Sequence, residues 1–286
     1  MKLPRIWKGQ NVMTITRALS IAGSAARGGA GIQADIKTFQ ELDVFGMSAI
    51  TAIVASHPRT EQGIFPQTIE AIEAQVHTAL HDIGADAIKT GMLFTEEIIA
   101  KVAQWIEEAN VKSIVVDPVM IGKMGSTLLK DDAIHAMKTR LLPLATIITP
   151  NMPEAAKLLE VDPLTSVEEL KEAAQALHRL GPKYVLVKGG RLEGPAIDVL
   201  FDGKQFYLLE APRIDTIHTN GAGCTYSAAI TAELAKGKSV PEAVEKAKKF
   251  ITAAIRHSIQ FKRGVGPTNH AAYVKYNETG CKVTVE

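Results

Sequence analysis

The sequence predicts an α/β fold: a doubly wound, mostly parallel central sheet with helices on both faces and an added β-hairpin. Three features carry that expectation. Short runs at 18–23 (ALSIAG), 48–55 (SAITAIVA), 113–120 (SIVVDPVM), 145–151 (ATIITPN) and 184–190 (YVLVKGG) are mostly apolar on both sides, as in parallel strands covered on both faces. Amphipathic stretches of helical period alternate with them. Residues 196–211 (AIDVLFDGKQFYLLEA) then break the alternation, setting two strand-like runs about an Asp-Gly turn at 202–203.

The helical stretches justify themselves in order. Residues 66–82 place Ile69, Ile72, Val76 and Leu80 at helical spacing. Residues 95–109 open with Thr95 followed by Glu96 and Glu97, a capping hydroxyl with acids where the helix dipole favours them. Residues 166–180 repeat that signature and stop at Gly181-Pro182, and 240–259 form a last long helix with Pro241 in its first turn. Residues 1–13 read as an N-terminal arm, with Met13 a second plausible start. Residues 14–272 read as one domain and 273–286 as a C-terminal tail.

Bulk properties narrow the function. The chain has 286 residues, 46% of them hydrophobic, enough for a sizeable core. A net charge of +1 offers no footprint for nucleic acid or an acidic membrane. No window approaches ~18 uninterrupted apolar residues, so no membrane span is expected. The opening MKLPRIWKGQNV has neither an apolar h-region nor a small-residue cleavage site. With only Cys224 and Cys281 there is no disulfide framework, and the expected location is the cytoplasm.

In open α/β sheets ligands bind at the carboxyl ends of strands, and here those ends carry unusual chemistry. The first strand runs into AGSAARGGAGIQAD, which suits either close approach of backbone to a ligand or a tight strand-to-helix turn. It has neither P-loop nor dinucleotide-binding spacing. Asp117 stands at a strand tip before Pro118. Asn151 and Glu154 follow Thr149-Pro150, spaced either for magnesium and its waters or for a helix capping box. Lys188 precedes Gly189-Gly190, suited to a polyphosphate or simply solvated before a turn. Gly221, Ala222 and Gly223 lead into a helix whose first N–H groups lack internal partners, an anion site in which Cys224 would tend towards thiolate. The histidines show no paired metal-ligand spacing, no serine sits in a nucleophile elbow, and Cys281 in its polar tail reads as an exposed bystander. The combination points to phosphoryl transfer from a magnesium nucleotide.

At this point the chain resembles the hydroxymethylpyrimidine/phosphomethylpyrimidine kinase family of the ribokinase superfamily, which includes bacterial pyridoxal kinases. The matching pieces are GGAGIQADIKTFQ (28–40), KTGM (89–92), VVDPVM (115–120), ITPNMPEA (148–155), VKGG (187–190) and GAGCTYSAAI (221–230), with GVGPTNH (264–270) also family-like. The resemblance implies ATP and Mg2+ as cofactors. It implies a vitamin-alcohol pocket at Ala30, Asp35, Met92 and Val119, with Ser56 at a substrate position. Asp117 and Glu154 would hold the metal. Lys188, Asn151, Gly190 and Thr225 would serve the nucleotide. Gly221, Ala222, Gly223 and Cys224 would cradle the transferred phosphoryl group, Cys224 standing near the substrate hydroxyl. A homodimer is the implied assembly, and the partners are a small-molecule vitamin precursor and a nucleotide.

Departures from the family pattern bear on the substrate. Pyrimidine-type members usually read TAQNT after the second strand; this chain reads VASHP, with Ser56 in place of glutamine and His57 next. That favours pyridoxal or pyridoxine as the alcohol, with the pyrimidine alcohol of thiamine biosynthesis as the alternative. Against it, some pyridoxal-phosphorylating members carry a second cysteine after DPVM, where this chain has Gly122. The usual GSD is GSAAR, gaining Arg27, and His218 replaces a common aspartate. The altered loop also leaves open a non-catalytic nucleotide- or vitamin-binding module.

Overall fold

A computed structural model of the chain describes residues 15–59, 63–120, 129–277 and 280–286. The expected N-terminal arm at 1–13 and Gly122 lie outside the described residues. Strand β1 (Arg17–Ala25) leads into helix α1 (Ile32–Glu41), β2 (Phe45–Val54), β3 (Ile64–Pro66) and α2 (Ile69–His77). Next come β4 (Ala87–Thr90), α3 (Glu96–Ala109), β5 (Ser113–Val116), α4 (Asp131–Ala136), β6 (Ile147–Ile148), α5 (Met152–Leu159) and α6 (Val167–His178). The chain continues with β7 (Tyr184–Lys188), β8 (Ala196–Phe201), β9 (Phe206–Ala211), α7 (Ala222–Ala235), α8 (Val240–Arg256), α9 (Ala272–Tyr276) and β10 (Lys282–Val285).

The strands form one sheet in the order β10-β9-β8-β7-β6-β5-β4-β1-β2-β3. Pairing is parallel from β2 through β1, β4, β5 and β6 to β7, and antiparallel at both flanks. Period-2 alternation divides the side chains between two cores: in β5, Ile114 and Val116 face the layer of α2 to α6, while Val115 faces the layer of α1, α7 and α8. Helix α7 is small and apolar nearly all round, and it is accordingly buried from Thr225 to Leu234 between sheet and neighbouring helices. Among the described residues no helix is long and apolar enough to cross a membrane.

The expected helix starts are present, with Thr95 accepting from the N–H of Ile98 and Ser166 from that of Glu169. The stretch 66–82 begins its helix at Ile69 and widens into a π-helical turn over Thr78–Ile83. Three strands go beyond the sequence reading. β3 is a short antiparallel addition to β2, and β4 sits in the middle of the sheet. The segment expected as a C-terminal tail supplies β10, which pairs antiparallel with β9 and closes that edge of the sheet.

Candidate active site

The chain order switches direction at β1, whose neighbours are β2 on one side and β4 on the other. The loops after β1, β4, β5, β6 and β7 therefore open onto one crevice at the carboxyl ends of the parallel strands. Two glycines let the GGAG loop pack backbone to backbone, one against the start of α7 and one against the end of β1. Gly221 has a φ of +80°, and a Cβ there would stand 1.7 Å from the carbonyl oxygen of Gly29. Gly31, with a φ of +59°, would place a Cβ 2.1 Å from the carbonyl oxygen of Gly23. The GVGPTNH segment straps the same turn: Asn220 N–H donates to the Gly266 carbonyl (3.1 Å), and Thr268 N–H to the Asn220 carbonyl (3.2 Å).

Asp117, Lys188 and Glu154 converge beside that turn. Lys188 Nζ donates to Asp117 Oδ1 at 3.1 Å, and Thr149 and Ser227 hydroxyls donate to the same carboxylate at 3.0 and 3.2 Å. Burial opposes ionisation of Asp117, but Lys188 and then Lys89 hold its carboxyl below the usual range. Glu154 goes the other way: burial first, then the like charge of Asp117, pushes it up to about 7 despite Lys188. Both alternatives for Asn151 and Glu154 have structural substance. Their side chains form a complete capping box at the start of α5, while both residues also face the crevice. A Cβ on Gly223 would lie 3.3 Å from Lys188 Nζ, so the start of α7 sits directly on the lysine.

Two cavities meet here. One, about 840 Å³, lies on the GGAG side and is lined by Ala30, Met92, Val119, Lys89, Glu154 and Cys224 among others. The second, about 400 Å³, lies on the side of the β7–β9 strands and includes Gly190, Arg213 and Lys248. They share Asn151, Lys188, Arg191, Thr219, Ala222 and Gly223 as a common wall.

The structure corrects several expected placements. Asp35 is fully buried beneath the GGAG-side cavity, where Lys89 Nζ donates to Oδ2 at 2.9 Å and Ser20 donates at 2.6 Å. Ser56 is exposed and off both cavity walls, because β2 ends at Val54 and the chain then turns outward. Thr225 is also fully buried; its hydroxyl lies 3.1 Å from both Thr268 Oγ1 and His270 Nε2, away from the cavities. Cys224 does not tend towards thiolate. It accepts the Gly31 N–H at 3.4 Å, and crowding by protein atoms pushes its thiol up to about 11, outweighing Lys89.

Other residues find ordinary roles. His218 Nδ1 accepts the Gly266 N–H at 2.9 Å and serves the strap rather than a cavity wall. Arg27 is exposed at the end of a loop that Gln33 pins through the Ala25 N–H and Ser24 Oγ. Cys281 is half-buried against the α8 layer rather than exposed. Lys89, Arg191 and Thr219 on the walls escaped the sequence reading as site residues. Only Lys89 had a local signal, its place in KTGM.

A divalent cation fits the carboxylates present. Asp117 and Glu154 are hard oxygen ligands, and burial together with the like charge of Asp117 makes Glu154 a weaker acid, a penalty that a cation would relieve. Among the described residues no cluster of three or more His, Cys, Asp or Glu forms an all-protein cage. Such a pair suits magnesium that keeps waters and is completed by substrate phosphates.

The phosphomethylpyrimidine kinase family model matches residues 26–269. The chain is 49% identical over 264 residues to the pyridoxine kinase of Bacillus subtilis (91% of this chain, 97% of that protein). It is 45% identical over 263 residues to the hydroxymethylpyrimidine/phosphomethylpyrimidine kinase of the same organism (91% and 97%). Among solved structures, the ADP complex of Bacillus subtilis pyridoxal kinase superposes with a TM-score of 0.86 at 48% identity (92% of this chain, all of that one). The Staphylococcus aureus pyridoxal kinase in complex with AMP-PCP and pyridoxal gives 0.87 at 42% identity (96% and 99%).

Proposed function

The chain belongs to the phosphomethylpyrimidine kinase family, and from that premise we propose that it phosphorylates the hydroxymethyl group of pyridoxal or pyridoxine with ATP. One observation carries the reading: the wall shared by the two cavities is made of Lys188, Asn151 and the start of α7. An alcohol on the GGAG side and a triphosphate on the hairpin side would thus meet across that wall. Relatives in complex with ADP, AMP-PCP and pyridoxal support a site that takes a nucleotide and this alcohol.

In this reading the alcohol oxygen forms the new bond to the γ-phosphorus, the bond from phosphorus to the β–γ bridging oxygen breaks, ADP leaves, and the hydroxyl proton is lost to water. Ala30, Met92 and Val119 hold the flat ring and keep water from it. The N–H groups at the start of α7, with the helix dipole behind them, offset charge growing on the phosphoryl oxygens. Lys188 turns from Asp117 to the phosphates. Asp117 and Glu154 would hold magnesium, which supplies electrostatic stabilisation of the phosphates. Cys224, a neutral thiol on the GGAG side, contacts the alcohol and does not serve as the base.

The second reading is the kinase of hydroxymethylpyrimidine and its monophosphate, favoured by the 45% identity to that enzyme over nearly the same span. Steady-state kcat/KM with magnesium-ATP decides between them, comparing pyridoxal, pyridoxine, hydroxymethylpyrimidine and its monophosphate. Turnover of the monophosphate without turnover of pyridoxal would overturn the preferred substrate. No phosphorylated product from any of the four would overturn the kinase reading. We also propose a homodimer, which sedimentation equilibrium tests.

A further inference from the structure

The lysines on the cavity walls are already neutralised by carboxylates: Lys188 by Asp117 at 3.1 Å, Lys89 by Asp35 at 2.9 Å and Lys248 by Asp198 at 2.6 Å. A nucleoside triphosphate brings roughly four negative charges, of which one magnesium ion offsets two. Lys188 turning from Asp117 meets part of the remainder, and cations that lack an acidic partner are placed to meet the rest. Among the described residues of the two walls, Arg191 and Arg213 are such cations.

Their placements differ. Arg191 follows Gly190 and is exposed at the mouth of the crevice, lining both cavities beside Lys188. Arg213 is engaged with backbone. Its Nε donates to the Gly194 carbonyl at 2.6 Å, its Nη1 to the Gly190 carbonyl at 2.9 Å, and its Nη2 to the Leu192 carbonyl. Those carbonyls bracket Arg191 on the connection between β7 and β8. Leu192 is itself buried, and its N–H turns back onto the Gly189 carbonyl at 3.0 Å. The result is a free guanidinium on a fixed loop, and a planar fork of N–H donors matches phosphate oxygens bidentately.

We propose that Arg191 binds the polyphosphate of the nucleotide across the wall shared by the two cavities, and that Arg213 is the positioning residue that holds the Arg191 loop. The proposal rests on the kinase reading. Its ligand class is a nucleoside di- or triphosphate, and it adds a contact to those assigned to Lys188 and the start of α7.

Calorimetric titration of the full chain with magnesium-ADP, and separately with AMP, tests it without turnover. Arg191→Met should weaken magnesium-ADP binding by roughly 10- to 100-fold, the range of a lost charge-assisted contact, and change AMP binding less than about twofold. Arg191→Lys should recover part of the loss, keeping charge without the fork. Arg213→Met should weaken magnesium-ADP in the wild-type background and have no further effect when combined with Arg191→Met. Unchanged magnesium-ADP affinity in Arg191→Met, or equal losses for ADP and AMP, overturns the contact. A full additional loss from Arg213→Met in the Arg191→Met background overturns the positioning role. Wild-type protein that binds no magnesium-ADP overturns the kinase reading as well.

Discussion

Lys188 and Asp117, separated by 71 positions in the chain, form a part-buried ion pair across the ends of β5, β6 and β7, with Nζ 3.1 Å from Oδ1. Thr149 and Ser227 complete the aspartate's hydrogen bonds, so the lysine can leave without abandoning a bare carboxylate. Burial would strip the proton from Lys188, but Asp117 and then Glu154 raise its affinity, and the lysine stays an ammonium. A cation kept ready on a carboxylate can change partners when a phosphate arrives.

Replacing that cation should therefore damage catalysis more than folding. Lys188→Met is expected to lower kcat/KM for ATP by about 10²–10³, the loss typical of one preorganised charge stabiliser. Steady-state kinetics on a variant with a native circular dichroism spectrum checks it. A loss under tenfold would mean that the lysine is only Asp117's partner.

Gly221 makes a backbone prediction. At a φ of +80° with the Gly29 carbonyl oxygen 1.7 Å from where a Cβ would be, Gly221→Ala must part the GGAG loop from α7. The expected cost exceeds about 2 kcal/mol in urea unfolding, combining strain with displaced packing. Gly190→Ala is the contrast, because a Cβ there meets nothing within 4 Å. It should change stability by less than about 1 kcal/mol.

Much of this arrangement was legible because parallel strands announce themselves as apolar runs and ligands gather at their carboxyl ends. Asp117, Glu154 and Lys188 each follow such a run, and the structure brings them together. β4 was not legible because Lys89 sits in its four residues, and a lysine reads as solvent-facing until its partner is known. That partner, Asp35, lies 54 positions away, and the family resemblance that places Asp35 in the alcohol pocket carries no sign of the pairing. Thr225 and Ser56 failed differently. A motif fixes a residue's place along the chain, but which way a helix start faces, and where β2 lets the chain turn outward, are tertiary facts. Arg191 and Arg213 carried no local signal, since carbonyls and an open cavity leave no mark in sequence.

Cys224 should react slowly at neutral pH. With its thiol pushed up to about 11, chiefly by burial and secondly by Asp35 and Asp117 against Lys89, only about 1 in 10⁴ molecules is ionised at pH 7. Iodoacetamide labelling of a Cys281→Ser variant should climb roughly tenfold per pH unit from 7 to 10. A plateau near neutrality would show a thiolate there and reopen Cys224 as the base.

His270 links acid stability to the start of α7. Its Nε2 lies 3.1 Å from Thr225 Oγ1, one residue from Cys224, and the residue is only 6% exposed. Burial, aided by Lys37, lowers its pKa from 6.5 to about 4. Between those values the unfolded chain takes up a proton that the native state refuses, so the stabilisation is fully present above about 6.5 and is lost as pH falls towards 4. The most this group can contribute is about 3 kcal/mol. His270→Gln keeps a hydrogen-bonding nitrogen without the titration. Urea unfolding at pH 7.5, 6 and 5 should show wild type losing stability faster than the variant, with the gap opening below pH 6.5. Parallel curves for the two proteins would mean that His270 takes its proton within the native fold, with Thr225 and the helix start adjusting at little cost.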